Sequence, residues 1–420
     1  MDKFPVLKIL SVVGFIIITG AVILLYVNTG KSTPTAASGD SDHPSAPPAQ
    51  TFTPRPATTG ANATLNFTNN IGGSGDETLL NAVLILSGYY VIGYSNSVDK
   101  DFKTFAAPTQ KLFVASMGLT GTLTNIAVLS NYFYVYSTSY NNQLVILVKD
   151  SGNNTCLLYI NSSLNIVNTI NIGGDAYFMQ NFGGNLYIFT ADSILIYNGW
   201  SQAASLACPQ GTLVKALSKS TDFTFFMLNN NNLNEYKINL NACNLIQSFL
   251  NINFVNIFEF DGNFLLVTQE VNQIVLTGIT TADNQIDFVT PIVVFSLGGV
   301  TINKNDIGYE IFITDSNTNY LIFTCLCGEI ISKTPIASGG IAASTFYNGN
   351  NYIIMTGGKN ISLIYTVNIY QTNTKAMICG SISFANLICI NNVLFVASYD
   401  NTQDYTANAG SSDIFMFSLV

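Results

Sequence analysis

Charge is what this chain has least of. Only 9% of its 420 residues are Asp, Glu, Lys or Arg, against about 25% in an average soluble domain. Fifteen basic side chains stand against 24 acidic ones, a net charge of −9. That balance excludes a surface built to track phosphates, so nucleic acid is not expected as a partner. There is one histidine, His43, and it lies in a Pro-rich stretch, which excludes a Ser–His–Asp set elsewhere in the chain. One tryptophan, Trp200, leaves little for stacking sugar rings. Seven cysteines are scattered without the four-ligand spacing of structural zinc. No cofactor, metal ligand set or catalytic residue is expected.

Long apolar runs are present in one place. Residues 9–27, ILSVVGFIIITGAVILLYV, carry no charge. As a helix they would span about 28 Å, close to the hydrocarbon thickness of a bilayer. Lys3 and Lys8 precede the run, while Asp40 and Asp42 follow Lys31. The positive-inside rule then places residues 1–8 in the cytoplasm and the C-terminal part outside. The run is longer than a signal-peptide core, so an uncleaved single-pass anchor is the expectation. Residues 28–64 are dense in Pro, Thr, Ser and Ala, a composition that cannot bury enough apolar surface to offset its ordering entropy. This segment is read as a linker.

From residue 65 to 420 the texture changes to short runs of Ile, Val, Leu, Phe and Tyr separated by Asn, Gly, Ser and Asp, which is strand-and-turn composition. Aligning the turns reveals a repeat. AVLILSGYYVIGY (82–94), AVLSNYFYVYS (127–137), MQNFGGNLYIFTA (179–191), FEFDGNFLLVTQ (258–269) and TFYNGNNYIIMTG (345–357) share one form. Each is a strand, a tight polar turn and a strongly apolar strand. With weaker copies, turns fall near 88, 131, 184, 220, 262, 306, 349 and 392, a mean step of about 43 residues. The long step before 184 reads as an insertion.

Units of this length with four strands are expected to be blades of a β-propeller, eight in number. The chain resembles the β-propeller superfamily, and MTGGKNISLIYTVNIYQTNT (355–374) is similar to a kelch blade. The all-β alternatives are a solenoid, tandem sandwiches or a membrane barrel. Continuous runs such as LVILV suit sheets covered on both faces better than a barrel's alternation. The last unit offers three strands before Val420, and Leu65–Asn69 has no partner of its own. It is expected to complete the final blade.

Several residues have the chemistry of a site. Asp315, Asn317 and Asn319 have the oxygen spacing of a calcium loop, but Tyr320 and Leu326 stand where Gly and Glu belong, so a hairpin turn is expected. The four-Asn run 229–232 reads as a turn. Asn62, Asn66, Asn153, Asn161 and Asn360 open Asn-x-Ser/Thr sequons that permit glycosylation. Cys379 and Cys389 are the expected disulfide, whereas Cys325 and Cys327, two apart on one strand, are not expected to bond each other. Of the aromatic stretch Tyr132, Phe133, Tyr134, Tyr136 and Tyr140, alternate members are expected in the core. Asp76, Glu77, Asp99, Asp101, Glu259, Glu270, Glu310 and Glu329 are the acids available for a carboxylate mechanism.

These readings converge on a non-enzymatic interaction or attachment head, tethered to a membrane and facing outward on a cell envelope or virion, with a protein or glycan partner. The alternatives are a carboxylate-based glycosidase and a periplasmic scaffold for envelope assembly.

Overall fold

A computed structural model describes the backbone of residues 65–419, apart from residue 87, residues 104–109 and 399–412, and turn segments of one to four residues. Side chains are described mainly from residue 68 to 336 and at positions 388–395 and 413–418. The expected anchor (9–27) and linker (28–64) lie outside the described residues. Among the described residues no helix is long and apolar enough to cross a membrane.

The strands form eight four-stranded antiparallel sheets. Seven are consecutive in sequence: sheets 1 to 7 cover residues 77–129, 132–171, 176–207, 212–249, 254–293, 297–336 and 340–379. Sheet 8 joins the chain ends, with strand order Leu65–Ile71, Asp413–Leu419, Val393–Ser398, Ile382–Ile390. The pairing runs from Leu65 opposite Leu419 to Ile71 opposite Ile414. The expected closure by Leu65–Asn69 is present and extends two residues further.

The first strands of sheets 1 and 2, 2 and 3, 5 and 6, and 6 and 7 adjoin, and Ile382–Ile390 of sheet 8 adjoins those of sheets 7 and 1. These strands therefore line the centre, and the strands at the opposite side of each sheet, Leu65–Ile71 in sheet 8, form the outer edges. This is the β-propeller fold. Its cores lie between sheets. In the strand Gln143–Asp150, Leu144, Ile146 and Val148 pack toward sheet 1, while Val145 and Leu147 pack toward sheet 3. A strand covered on both faces must be apolar at every position, which is why LVILV shows no alternation. The same packing joins sheets 3 and 4, 4 and 5, and 5 and 6. Tyr89, Phe113, Phe395 and Met416 pack sheet 1 against sheet 8.

One element of the turn alignment is corrected. The turn between the first two strands of sheet 2 is Asn141–Asn142, not the pair near 131. Ser130 and Asn131 instead carry the chain from the last strand of sheet 1, Leu123–Leu129, into sheet 2. Both places read as strand, two polar residues, strand, so pattern alone does not separate a hairpin from a crossing. The extra length therefore sits in sheet 1, in residues 96–110 between Gly88–Ser95 and Lys111–Gly118. Among the described residues of this segment lies a 3-10 turn, Lys100–Phe102, and its buried Phe102 meets Phe113 edge-on at 5.1 Å.

Turn chemistry follows the asparagines. Asn141, Asn142, Asn230, Asn231 and Asn272 all adopt positive φ, a region Asn tolerates better than other L-residues. The 229–232 run is the expected turn, with Asn229 opposite Asn232. Every outer strand also carries a bulge, as at Ile246, Asp287 and Ile331 in sheets 4, 5 and 6. A bulged edge twists away from the flat geometry that would recruit another chain by strand addition.

Candidate functional site

The densest polar constellation sits where the ring closes. Residues 72–76, Gly-Gly-Ser-Gly-Asp, cross from sheet 8 into sheet 1, and each backbone N–H is met by a side chain. Gly72 donates to Asp101 Oδ2 (3.0 Å), Gly73 to Glu77 Oε2 (3.1 Å) and Ser74 to Asp99 Oδ1 (2.7 Å). Gly75 donates to Ser97 Oγ (2.8 Å) and Asp76 to Asn96 Oδ1 (2.6 Å). All these acceptors but Glu77 belong to the inserted segment after Ser95, so the insertion works as a clasp over the crossing loop. Small residues are required beneath it. A Cβ on Gly72 would collide with the Asp413 carboxylate, and one on Gly73 with the Ser97 side chain.

Glu77 is buried at the base of the clasp, and its Oε1 accepts hydrogen bonds from Ser95 (2.7 Å) and Ser97 (2.6 Å). Burial pushes its carboxyl up to about 7, against the lowering effect of its three donors, and the nearby Asp413 charge adds to the rise. Asp99, on the surface, is held below its ordinary range chiefly by the Ser74 N–H. The acids named from sequence are therefore brought together in part. Glu77, Asp99 and Asp101 converge here with Asp413, which sequence reasoning missed. Glu77, Asp99 and Asp101 accept from backbone N–H groups, Glu77 from two hydroxyls as well, and Asp413 accepts from the Asn70 side-chain amide. Glu270 lies in an exposed turn bonded to Gln273, Glu310 is buried in sheet 6, and Glu329 is exposed beside the cysteines.

A shallow depression of about 360 Å³ opens at the end of the ring that carries the turns between first and second strands. Leu84, Ile85, Leu86, Tyr140, Asn141, Asn142 and Asn181 line it. Its one aromatic ring, Tyr140, is buried, with its hydroxyl bonded to Gly184 O (2.9 Å) and to the Gly199 N–H (2.8 Å). No ring face is left for a sugar to stack on.

The outer edge is different. On the last strand of sheet 5, Ile286–Val293, and just beyond it, Ile286, Val289, Val293 and Phe295 are 58%, 53%, 57% and 73% exposed. Leu245 and Ile246 on the outer strand of sheet 4 and Ile330 on that of sheet 6 are exposed as well. The apolar composition was visible in IDFVTPIVVF, and the sheet order makes this strand the last of sheet 5, since Leu297–Lys304 begins sheet 6.

The remaining sequence candidates resolve individually. Asp315 Oδ1 accepts the N–H groups of Phe295 and Ser296 (both 2.9 Å), and Thr314 Oγ1 donates to Asn319 Oδ1 (2.7 Å). The calcium-like spacing is thus a turn that caps the entry to sheet 6. Asn153 and Asn161 occupy hairpin turns of sheet 2. Asn66 and Asn360 lie on strands, with side chains outside the described residues, and Asn62 lies outside them altogether. Of the aromatic stretch, Tyr140 is buried, Tyr132 and Tyr134 pack half-buried toward sheet 1, Tyr136 packs half-buried toward sheet 3, and Phe133 is exposed. The expected alternation of core and surface is broken by the bulge at residue 135.

The cysteine expectation is corrected in one respect. Cys325 and Cys327 are joined by a disulfide, with Cα atoms 5.2 Å apart. The strand Thr318–Cys325 ends at the first of them, and the chain turns through Leu326 and Cys327 to Gly328 at φ +85°. Two residues apart on a strand diverge from bonding; across this turn they meet. Cys379 and Cys389 fall on consecutive strands of sheets 7 and 8, but the Cys379 side chain lies outside the described residues.

No protein-family model matches the chain, and no curated protein matches it. Solved structures do. BamB from Moraxella catarrhalis is similar over 84% of this chain and 99% of its own, at 11% identity and a TM-score of 0.54. The Dos1 propeller covers 84% of this chain and 95% of its own, at 12% identity and a TM-score of 0.49. The likeness to BamB supports the fold and carries no function.

Proposed function

We propose that this chain is a non-enzymatic interaction head, held to a membrane by residues 9–27 and presented on the outer side, with a protein bound along the edge of sheets 4 to 6. The exposed apolar row Ile286, Val289, Val293 and Phe295 carries this reading. Large side chains left in water on adjacent edges mark an interaction surface, and the bulge in each strand favours side-chain contact over strand addition. The disposition of the acids supports a non-enzymatic role, since Glu77, Asp99 and Asp101 hold the crossing loop and Asp315 caps a turn. A glycan partner is favoured less, because the depression offers no free ring.

The test places a photo-crosslinking residue at Phe295 in the full chain in its native membrane, with a second at exposed Leu119 of sheet 1 as control. A discrete protein adduct at 295, absent at 119 and lost with Val289→Glu, is expected. No adduct at 295, or binding confined to a glycan array, would refute the protein-edge reading. Protease protection of intact cells tests the topology: digestion of residues 65–420 from outside is expected, and full protection would reverse the orientation.

A further inference from the structure

The Cys325–Cys327 bond is placed to react rather than to brace. A crosslink closing so short a loop removes little entropy from the unfolded chain, so it contributes little to stability. The turn is already closed without it: Gly328 donates to Cys325 O (3.0 Å) and Cys325 to Glu329 O (2.9 Å). A second anchor comes from sheet 5, where Thr290 Oγ1 donates to Gly328 O at 2.7 Å. Phe288 and Thr290 also fill the space where a side chain on residue 328 would lie. The turn is held with or without the sulfur bridge.

The two sulfurs are not equivalent. Cys327 is exposed, while Cys325 is buried at the strand end. The Glu329 N–H points at Cys325 Sγ at 3.2 Å. An amide donor on a sulfur stabilises it as a thiolate, and a stabilised thiolate is the better leaving group. The open sulfur is thus the one an incoming thiolate can reach, and the buried sulfur is the one equipped to depart.

We propose that Cys325–Cys327 is an exchange-active disulfide that oxidises cysteine pairs in peptides or proteins. A substrate thiolate attacks Cys327 Sγ, forming a new S–S bond, while the electron pair of the Cys325–Cys327 bond leaves on Cys325. The second substrate thiolate then attacks the substrate sulfur of that mixed disulfide and releases Cys327 as a thiolate. The substrate dithiol loses two electrons and two protons and becomes a disulfide. The Cys325–Cys327 bond gains two electrons, and both sulfurs take up protons from solvent. The inference is independent of the edge-binding reading.

The test uses the full chain in detergent with a reduced peptide containing two cysteines. One equivalent of peptide disulfide per chain is expected, with new alkylatable thiols mapped to positions 325 and 327 and an unchanged far-UV spectrum. The double variant Cys325→Ser/Cys327→Ser should oxidise no peptide. Peptide mapping after brief quenching should find the mixed disulfide on Cys327, at least about tenfold over Cys325, as expected when access decides which sulfur is attacked. Resistance of the bond until the chain unfolds would overturn the proposal, as would equal peptide oxidation by the double variant or a mixed disulfide on Cys325. The wild-type mapping stands by itself if the variant does not fold.

Discussion

Asn70 donates its side-chain amide to the Asp413 carboxylate at 3.0 Å, tying together residues 343 positions apart. The bond lies where the first strand, Leu65–Ile71, meets Asp413–Leu419, and Thr68 Oγ1 adds a bond to Met416 O at 2.9 Å. Closure therefore rests on a strand ladder, two side-chain bonds and a clasp over the loop that follows. Each bond contributes about 1 kcal/mol net, but together they cover an edge that would otherwise be open.

A chain beginning at Asn62 keeps this strand; one beginning at Gly73 loses it. The shorter chain should melt at least about 5 °C lower and aggregate on heating. Equal melting temperatures in differential scanning calorimetry would show that the terminal strand does not close the ring.

Gly73→Ala tests the clasp itself. The new methyl group would press on Ser97, whose hydroxyl serves both Glu77 and the Gly75 N–H. A loss of about 1–3 kcal/mol is expected from overpacking at so constrained a site. Gly299→Ala, where a Cβ meets nothing within 4 Å, should be near neutral and serves as the control. Urea denaturation of the two variants checks the difference.

Tyr140 links sheets 2 and 3 through one hydroxyl that serves two turns, those of Gly184 and Gly199. Tyr140→Phe keeps the ring in its core and removes both bonds. A cost of about 1.5 kcal/mol is expected, since the freed backbone groups are only partly open to water. An unchanged denaturation midpoint would assign the link to ring packing alone.

Where the sequence was legible, one local rule governed the structure. Polar pairs marked the turns, unbroken apolar runs marked strands covered on both faces, and an unpartnered strand at residue 65 pointed to closure. The error near 131 arose because the first strand of sheet 2, Tyr132–Tyr140, runs from aromatics into Ser137-Thr138-Ser139, and these polar residues blend into its own hairpin at Asn141–Asn142. The clasp was not legible, because its meaning depends on Asp413 and residues 96–101 arriving at residues 70–77 only after the ring forms. Cys325–Cys327 was misread for a related reason: spacing describes a strand, and the strand ends at Cys325. The exposed edge of sheet 5 was visible as composition, but only the sheet order shows that nothing covers it.

Glu77 makes stability depend on pH. Its carboxyl titrates near 7 in the folded chain, against a reference value of 4.5. The folded state therefore binds more protons than the unfolded state between those values, so stability must fall as pH rises through this window. The contribution is fully present below pH 4.5 and lost as pH passes 7. A displacement of this size corresponds to about 3 kcal/mol between the two extremes. Glu77→Gln removes the titration and keeps the geometry, since an amide oxygen can accept from Gly73 while the amide nitrogen donates to the Ser95 and Ser97 hydroxyls. Melting temperatures measured from pH 4.5 to 8 should decline more steeply for the native chain than for the variant. Parallel profiles would mean that Glu77 is already charged throughout, and that its two serine hydroxyls and the Gly73 N–H outweigh its burial.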